Sequence, residues 1–246
     1  MAVQRPDRSE VAAMFEKVYG FMLAKRLGAA ERTLQREAPE AWNALHASRM
    51  LGGLCHGRQA MRLLELSRLL QRFQPESVLE LGGGTTTTVF AKASRAGLIG
   101  EPRIVSMEED ERWERIARTI TPVELRSRVM FCLRSRVVER WEDQAVARYD
   151  MTYDRYYDLV YVDGPSAMDP DNRTPGHKLP LVDVLCLIKA GFPPRVILVD
   201  CKRHSIAFFL RSGIDRYYNL TIRSEFLPWP RPLVAPYRYH SIFERK

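Results

Sequence analysis

The sequence predicts an α/β protein in which a mostly parallel sheet carries helices on both faces and a helical extension precedes it. Three observations carry that prediction. The first 75 residues repeat apolar positions every three or four residues, the period of a helix with one buried face. From residue 76 onward short apolar runs alternate with amphipathic stretches, the pattern of strands joined by crossover helices. The last two strand-like runs have no helix between them, so they should pair antiparallel. With 246 residues the chain is long enough for one large domain. We divide it into an extension over 1–75 and a sheet domain over 76–246.

In chain order, "SEVAAMFEKVYGFMLAKRLG" opens at Ser9, which has the chemistry of an N-cap, and closes at Gly28; Val11, Phe15, Val18 and Met22 mark its apolar face. "GGLCHG" reads as a turn, and "RQAMRLLELSRLLQRF" as a second helix. Strands are predicted at Ser77–Leu81, Arg103–Glu108, Arg128–Leu133, Asp158–Asp163 and Arg195–Asp200. Helices are predicted at "EDERWERIARTI" and "LPLVDVLCLIKAG". The closing pair of strands is "YNLTIRSEF" and "YRYHSIFERK", joined by the proline-rich "FLPWPRPLVAPYRY".

Composition narrows the function. No apolar run reaches the roughly 18 residues that span a bilayer, and "MAVQRPDRSE" lacks the apolar core of a signal peptide, so the expectation is a cytoplasmic protein without a membrane partner. Four cysteines stand singly with no CxxC pair, which argues against a zinc site or a disulfide framework. The net charge of +8, from 38 basic and 30 acidic side chains, favours anionic partners. A nucleic-acid partner is not excluded, but the basic residues are dispersed and form no arm.

The most informative stretch is "SVLELGGGTTTTVFAK". A strand that ends in an acid and runs through glycines into a helix is a ligand site in an open α/β sheet. Gly82, Gly83 and Gly84 let a ligand lie against bare backbone, and the following helix aims its free N–H groups at that ligand. Threonine fits the first turn because its hydroxyl caps a helix or holds an anion. A dinucleotide loop needs a third glycine where Thr87 stands, and a phosphate-binding P-loop needs Gly-Lys-Ser/Thr. Neither matches.

"VLELGGGTTT" resembles the first motif of the class I S-adenosylmethionine-dependent methyltransferases. "RIVSMEEDERWERI" and "YYDLVYVDGP" resemble the motifs at the ends of their second and fourth strands, in the same order. The resemblance covers about half the chain. It implies a Rossmann-like, seven-stranded sheet whose C-terminal strand runs antiparallel, with S-adenosylmethionine as cofactor. By the same resemblance, Glu80 and the backbone of Gly82, Gly83 and Gly84 would meet the methionine end, and Thr85 and Thr86 its carboxylate. Glu108 would accept the ribose hydroxyls, with Glu109 as the rival. The acid usual after strand three is missing, and Ser135 is the candidate for the adenine.

Asp163 and Asp200 each end an apolar strand, and neighbouring strands would point both into one crevice. This resembles the small-molecule O-methyltransferases in which such acids bind magnesium and a substrate diol. Asp163 and Asp200 are therefore the candidate metal ligands, although Cys201 stands where a further oxygen ligand is usual and cysteine suits magnesium poorly. His177 or His204 could serve as general base, and Lys202 and Arg203 could hold an anionic substrate. The expected reaction is methylation of a hydroxyl on a small molecule such as a sugar or polyol. The alternatives are an RNA methyltransferase and a nucleotide-binding module without turnover. The N-terminal helices would form a lid over the site or a contact in a homodimer.

Overall fold

The computed structural model describes residues 24–53, 58–99, 104–168, 178–200, 202–222 and 239–246. Seven strands form one sheet: β1 (Val78–Leu81), β2 (Ile104–Glu108), β3 (Val129–Leu133), β6 (Leu159–Val162), β7 (Val196–Asp200), β8 (Tyr218–Thr221) and β9 (His240–Arg245). They lie in the order β3-β2-β1-β6-β7-β9-β8. The chain steps outward from β1 to β3, then crosses back to β6 on the other side of β1. At such a reversal the loops leave the sheet in diverging directions and open a crevice. β9 is antiparallel to both β7 and β8, as the missing crossover helix requires.

Alternate strand residues serve two cores. Leu79, Leu81, Val105, Met107, Val160 and Val162 pack with helices α7 (Asp183–Lys189) and α8 (Arg203–Arg211). Val78, Ile104, Leu159, Tyr161 and Leu198 pack on the opposite face. That face is covered by α1 (residues 24–37), α2 (Pro39–Met50), α3 (Gln59–Phe73) and α4 (Thr85–Arg95). The central strands are buried from end to end, as befits a sheet covered on both sides. Removing one such leucine, Leu79→Ala, would cost roughly 2–5 kcal/mol. α3 buries Leu63, Leu66 and Leu70 in the same core as β1 and α4, so the N-terminal helices shape the sheet's surroundings directly.

Two elements differ from the expectation. α1 runs through Gly28 to residue 37, since one helical glycine costs only about 1 kcal/mol and Ala30, Leu34 and Ala38 continue the buried face. The other is a hairpin after β3, of β4 (Arg136–Trp141) and β5 (Gln144–Tyr149), where helix was expected. Its turn holds Glu142 at φ 54°. β5 buries Val146 and Tyr149 against the α7 face, taking the place of a covering helix. Helix α5 (Glu111–Ile120) starts on Asp110, whose side chain accepts the Arg112 N–H at 2.8 Å, an N-cap bond. α6 is one turn, Val123–Arg126. Residues 9–23 of the first expected helix, part of the "GGLCHG" turn, Cys201, His177 and the proline-rich loop before Tyr239 lie outside the described residues.

Candidate active site

The four threonines of "GGGTTTT" begin α4, and all four are buried. Their hydroxyls explain why threonine is tolerated in a helix. Thr86 and Thr87 donate to the two oxygens of Glu80, at 2.5 and 2.6 Å. Ser106, the cross-strand neighbour of Glu80, donates to it at 2.6 Å. Thr87 also accepts the Gly84 N–H at 3.0 Å, which closes the helix start. Thr88 and Thr121 hydroxyls lie 3.4 Å apart, and Thr85 accepts from Gln59 of α3 at 3.1 Å. Glu80 is fully buried, and that burial pushes its carboxyl up to about 7 against the pull of its three hydroxyl donors. It braces the glycine loop from behind instead of lining the crevice.

The glycines have separate reasons. Gly82 has φ 95°, and a Cβ there would stand 2.6 Å from the Gly164 nitrogen. The loops after β1 and β6 thus meet backbone to backbone, and Asp163 and Gly164 both donate to the Leu81 carbonyl, at 2.8 and 2.6 Å. A Cβ on Gly83 would meet Ser106 Oγ at 2.9 Å, whereas one on Gly84 would meet nothing within 4 Å. Gly84 is free of neighbours because it borders open space.

That space is a cavity of about 330 Å³ at the carboxyl ends of β1, β2 and β6, a small-ligand size. Gly82, Gly83, Gly84, Thr85 and Thr86 form its floor; Glu108, Glu109, Asp163 and Ser166 border it. The helices supply Ser48, Gln59, Trp113 and Ile116. Ser48 and Gln59 lie in no motif of the sequence, and only the packing of α2 and α3 brings them to the rim; Trp113 and Ile116 fall within the stretch after β2 that resembles the second motif, though the sequence marks no role for them there.

Glu108 ends β2 with Oε1 accepting the N–H groups of Glu109 (2.9 Å) and Asp110 (3.4 Å). Burial pushes its carboxyl up to about 7. Among the described residues Oε2 accepts no hydrogen bond, so it is available to a ligand. Glu109 instead turns to the loop after β6 and accepts the Ser166 N–H on both oxygens, at 2.8 and 2.9 Å. Ser135 is exposed and does not border the cavity; its carbonyl accepts from Asp150.

Asp163 leaves β6 beside Gly164. Protein surrounds its base, yet its side chain is 44% exposed because it opens toward the cavity. Desolvation, helped by the nearby Asp200 carboxylate, pushes it above the usual carboxylate range, although Lys202 opposes the shift. The Lys202 ammonium stands 3.3 Å from its Oδ1. Asp200 ends β7 almost fully buried, with Oδ2 3.1 Å from Arg62 Nη1 of α3. Asp163 and Asp200 thus follow neighbouring strands, but they do not share the crevice as expected: Asp163 borders the cavity, Asp200 is buried against Arg62, and each has a cationic partner. His204 lies on the exposed start of α8, away from the cavity.

The sequence matches no protein-family model and no curated protein. Solved structures do match. Cofactor-bound Rv0187 from MTB superposes with a TM-score of 0.53 at 17% identity, over 98% of this chain and 99% of that one. An O-methyltransferase from Bacillus cereus in complex with SAH gives 0.52 at 16% identity, over 89% and 97%. A candidate O-methyltransferase from Klebsiella pneumoniae gives 0.54 at 14% identity, over 89% and 96%. The fold is that of the class I S-adenosylmethionine-dependent methyltransferases. The glycine loop, the acid ending β2 and the acid after β6 all border the same cavity. No described helix is long and apolar enough to cross a membrane.

Proposed function

We propose that the chain is an S-adenosylmethionine-dependent methyltransferase acting on a hydroxyl of a small molecule. One observation carries the reading: a bare glycine cradle, a carboxylate oxygen without a donor among the described residues and a half-exposed aspartate share one cavity. The described residues fit the cofactor. Gly82–Gly84 leave backbone open to its methionine end, and Glu108 Oε2 suits a ribose diol, since a carboxylate pairs well with hydroxyl donors. Trp113 and Ile116 offer apolar wall for a planar base. Two of the structural neighbours are named for O-methyl transfer, which favours an oxygen acceptor here, with a nucleic-acid acceptor as the competing class.

S-adenosylmethionine, when bound, supplies a methyl group on a sulfonium. Asp163 holds the acceptor hydroxyl and takes its proton. Its raised proton affinity makes it a better base than an ordinary aspartate. The rest of the work is positioning: the welded β1 and β6 loops fix Asp163 relative to the glycine floor, while α2 and α3 close the cavity from above through Ser48 and Gln59.

The test is S-adenosylhomocysteine release across a panel of hydroxyl acceptors. Asp163→Asn should lower turnover at least tenfold, about 1.4 kcal/mol in barrier, with cofactor affinity nearly unchanged. Turnover only with RNA, bound in a salt-dependent manner, would move the acceptor to nucleic acid. Full activity of Asp163→Asn would refute the role of that residue.

A further inference from the structure

We propose that this chain carries its own positive charge at the reacting edge, Arg62 and Lys202, where a divalent metal would otherwise stand, and transfers the methyl group without one. The inference rests on the methyltransferase reading above. Two acids at the ends of neighbouring strands invite a magnesium ion, and the donor set here does not fit it. Asp200 is 1% exposed, and its Oδ2 is held by the Arg62 guanidinium at 3.1 Å. Asp163 Oδ1 is 3.3 Å from the Lys202 ammonium. Glu109, the next acid on the rim, is occupied by the Ser166 N–H on both oxygens. Magnesium needs near-octahedral oxygen ligands. Among the described residues no three of His, Cys, Asp and Glu gather closely enough to hold a metal ion.

The charge balance points the same way. Each of the two acids already has a cation beside it, so a dication entering between them would be repelled by both basic side chains. The cations also come from two separate elements. Arg62 projects from α3 and Lys202 precedes α8, so the arrangement belongs to the fold and not to one loop.

The two cations then take over different parts of a metal's work. Arg62 pairs with Asp200 and offsets part of the repulsion that this buried carboxylate exerts on charge at Asp163. Lys202 pairs with Asp163 and positions it. In the step itself the acceptor hydroxyl gives its proton to Asp163. The acceptor oxygen bonds to the methyl carbon as the carbon–sulfur bond breaks, and that bond's electron pair stays on sulfur. The products are a methyl ether and S-adenosylhomocysteine, and Asp163 later returns its proton to water. Lys202 is a positioning residue, acting through Asp163.

Manganese provides the probe, because its binding is read by electron paramagnetic resonance without any acceptor. The full chain with S-adenosylhomocysteine should take up no stoichiometric manganese below millimolar concentration. A one-to-one site that disappears in Asp163→Asn would overturn the proposal. Calorimetry with S-adenosylhomocysteine in the same samples separates the two readings: failure to bind it removes the methyltransferase assignment, whereas manganese uptake removes only the metal-free edge. Once an acceptor is known, chelator should leave the rate unchanged. Lys202→Gln should move the acid limb of the rate profile to higher pH, because the ammonium that favours ionised Asp163 is gone. An unmoved limb would contradict the role of Lys202.

Discussion

Replacing Gly82 and Gly84 by alanine should have opposite consequences, although the two lie two residues apart in one loop. At Gly82 the backbone sits at φ 95°, and the new methyl would lie 2.6 Å from the Gly164 nitrogen and 2.9 Å from the Asp163 carbonyl carbon. Left-handed backbone costs an L-residue roughly 1–2 kcal/mol, and forcing packed atoms apart costs about 1–3 kcal/mol more. Neither neighbour is a flexible side-chain tip; both are backbone of the loop that carries Asp163. Gly82→Ala should therefore lose about 2–5 kcal/mol, and a chain of this size should melt roughly 5–20 °C lower. Gly84 is extended at φ 171°, and its methyl would meet no atom within 4 Å. Stability should change by less than about 1 kcal/mol, in either direction. Its affinity for S-adenosylhomocysteine should instead fall about tenfold, or 1.4 kcal/mol, because the methyl occupies space beside the cofactor. Thermal denaturation and titration calorimetry on both variants read the two effects. A Gly82→Ala variant that melts like the wild type would refute the backbone contact between the loops. A Gly84→Ala variant with wild-type affinity would refute the placement of the ligand on this loop.

Two further outcomes follow from the buried acids. Glu80 and Asp183 are held near 7 in the folded chain by burial, against ordinary carboxyl values of 4.5 and 3.8, so the folded state keeps protons that the unfolded chain has released. Stability should then fall as pH rises to about 7, from about 3.8 for Asp183 and from about 4.5 for Glu80, by up to ~1.4 kcal/mol per pH unit for each group, and level off above. Glu80→Gln should flatten its share of that slope in denaturant titrations, and an identical slope would contradict the buried protonated carboxyl. Glu109→Ala should speed amide exchange at Ser166, whose N–H loses its acceptor. An unchanged exchange rate would mean that the loop after β6 is held by other contacts.

Four of the five parallel strands were legible because each runs into a chemically marked residue: Glu80 before the glycines, Glu108 before a capping Asp110, Asp163 before Gly164, Asp200 before Lys202; β3, which ends at Leu133, was legible from its apolar run alone. The hairpin could have been read from the alternation in "RVVERW" and "QAVARY", but its two-residue turn is Glu142-Asp143, without the glycine that usually flags such a turn. The role of Glu80 was hidden for another reason. Its three hydroxyl partners come from a helix and a neighbouring strand, and only the register of β1 on β2 sets Ser106 opposite it. Arg62 is the clearest case. It lies 138 residues from Asp200 in a helix that reads as a plain amphipathic repeat, and no local pattern signals that its guanidinium reaches the end of β7. Ser48 and Gln59 were likewise invisible, since a cavity wall assembled from separate helices leaves no spacing in the sequence.

Titration calorimetry of the wild-type chain and Glu108→Ala with S-adenosylhomocysteine, side by side, tests the central claim most directly. The cavity joins a glycine floor to a carboxylate of which one oxygen accepts no hydrogen bond among the described residues, and the proposed function gives that oxygen to the ribose diol. One-to-one binding is predicted for the wild type, weakened by about 1–3 kcal/mol in the variant, the scale of hydrogen bonds to a charged group, with the melting temperature of the free protein nearly unchanged. Absence of binding to the wild type, or equal affinity in both proteins, would contradict the assignment of this cavity to the cofactor through Glu108.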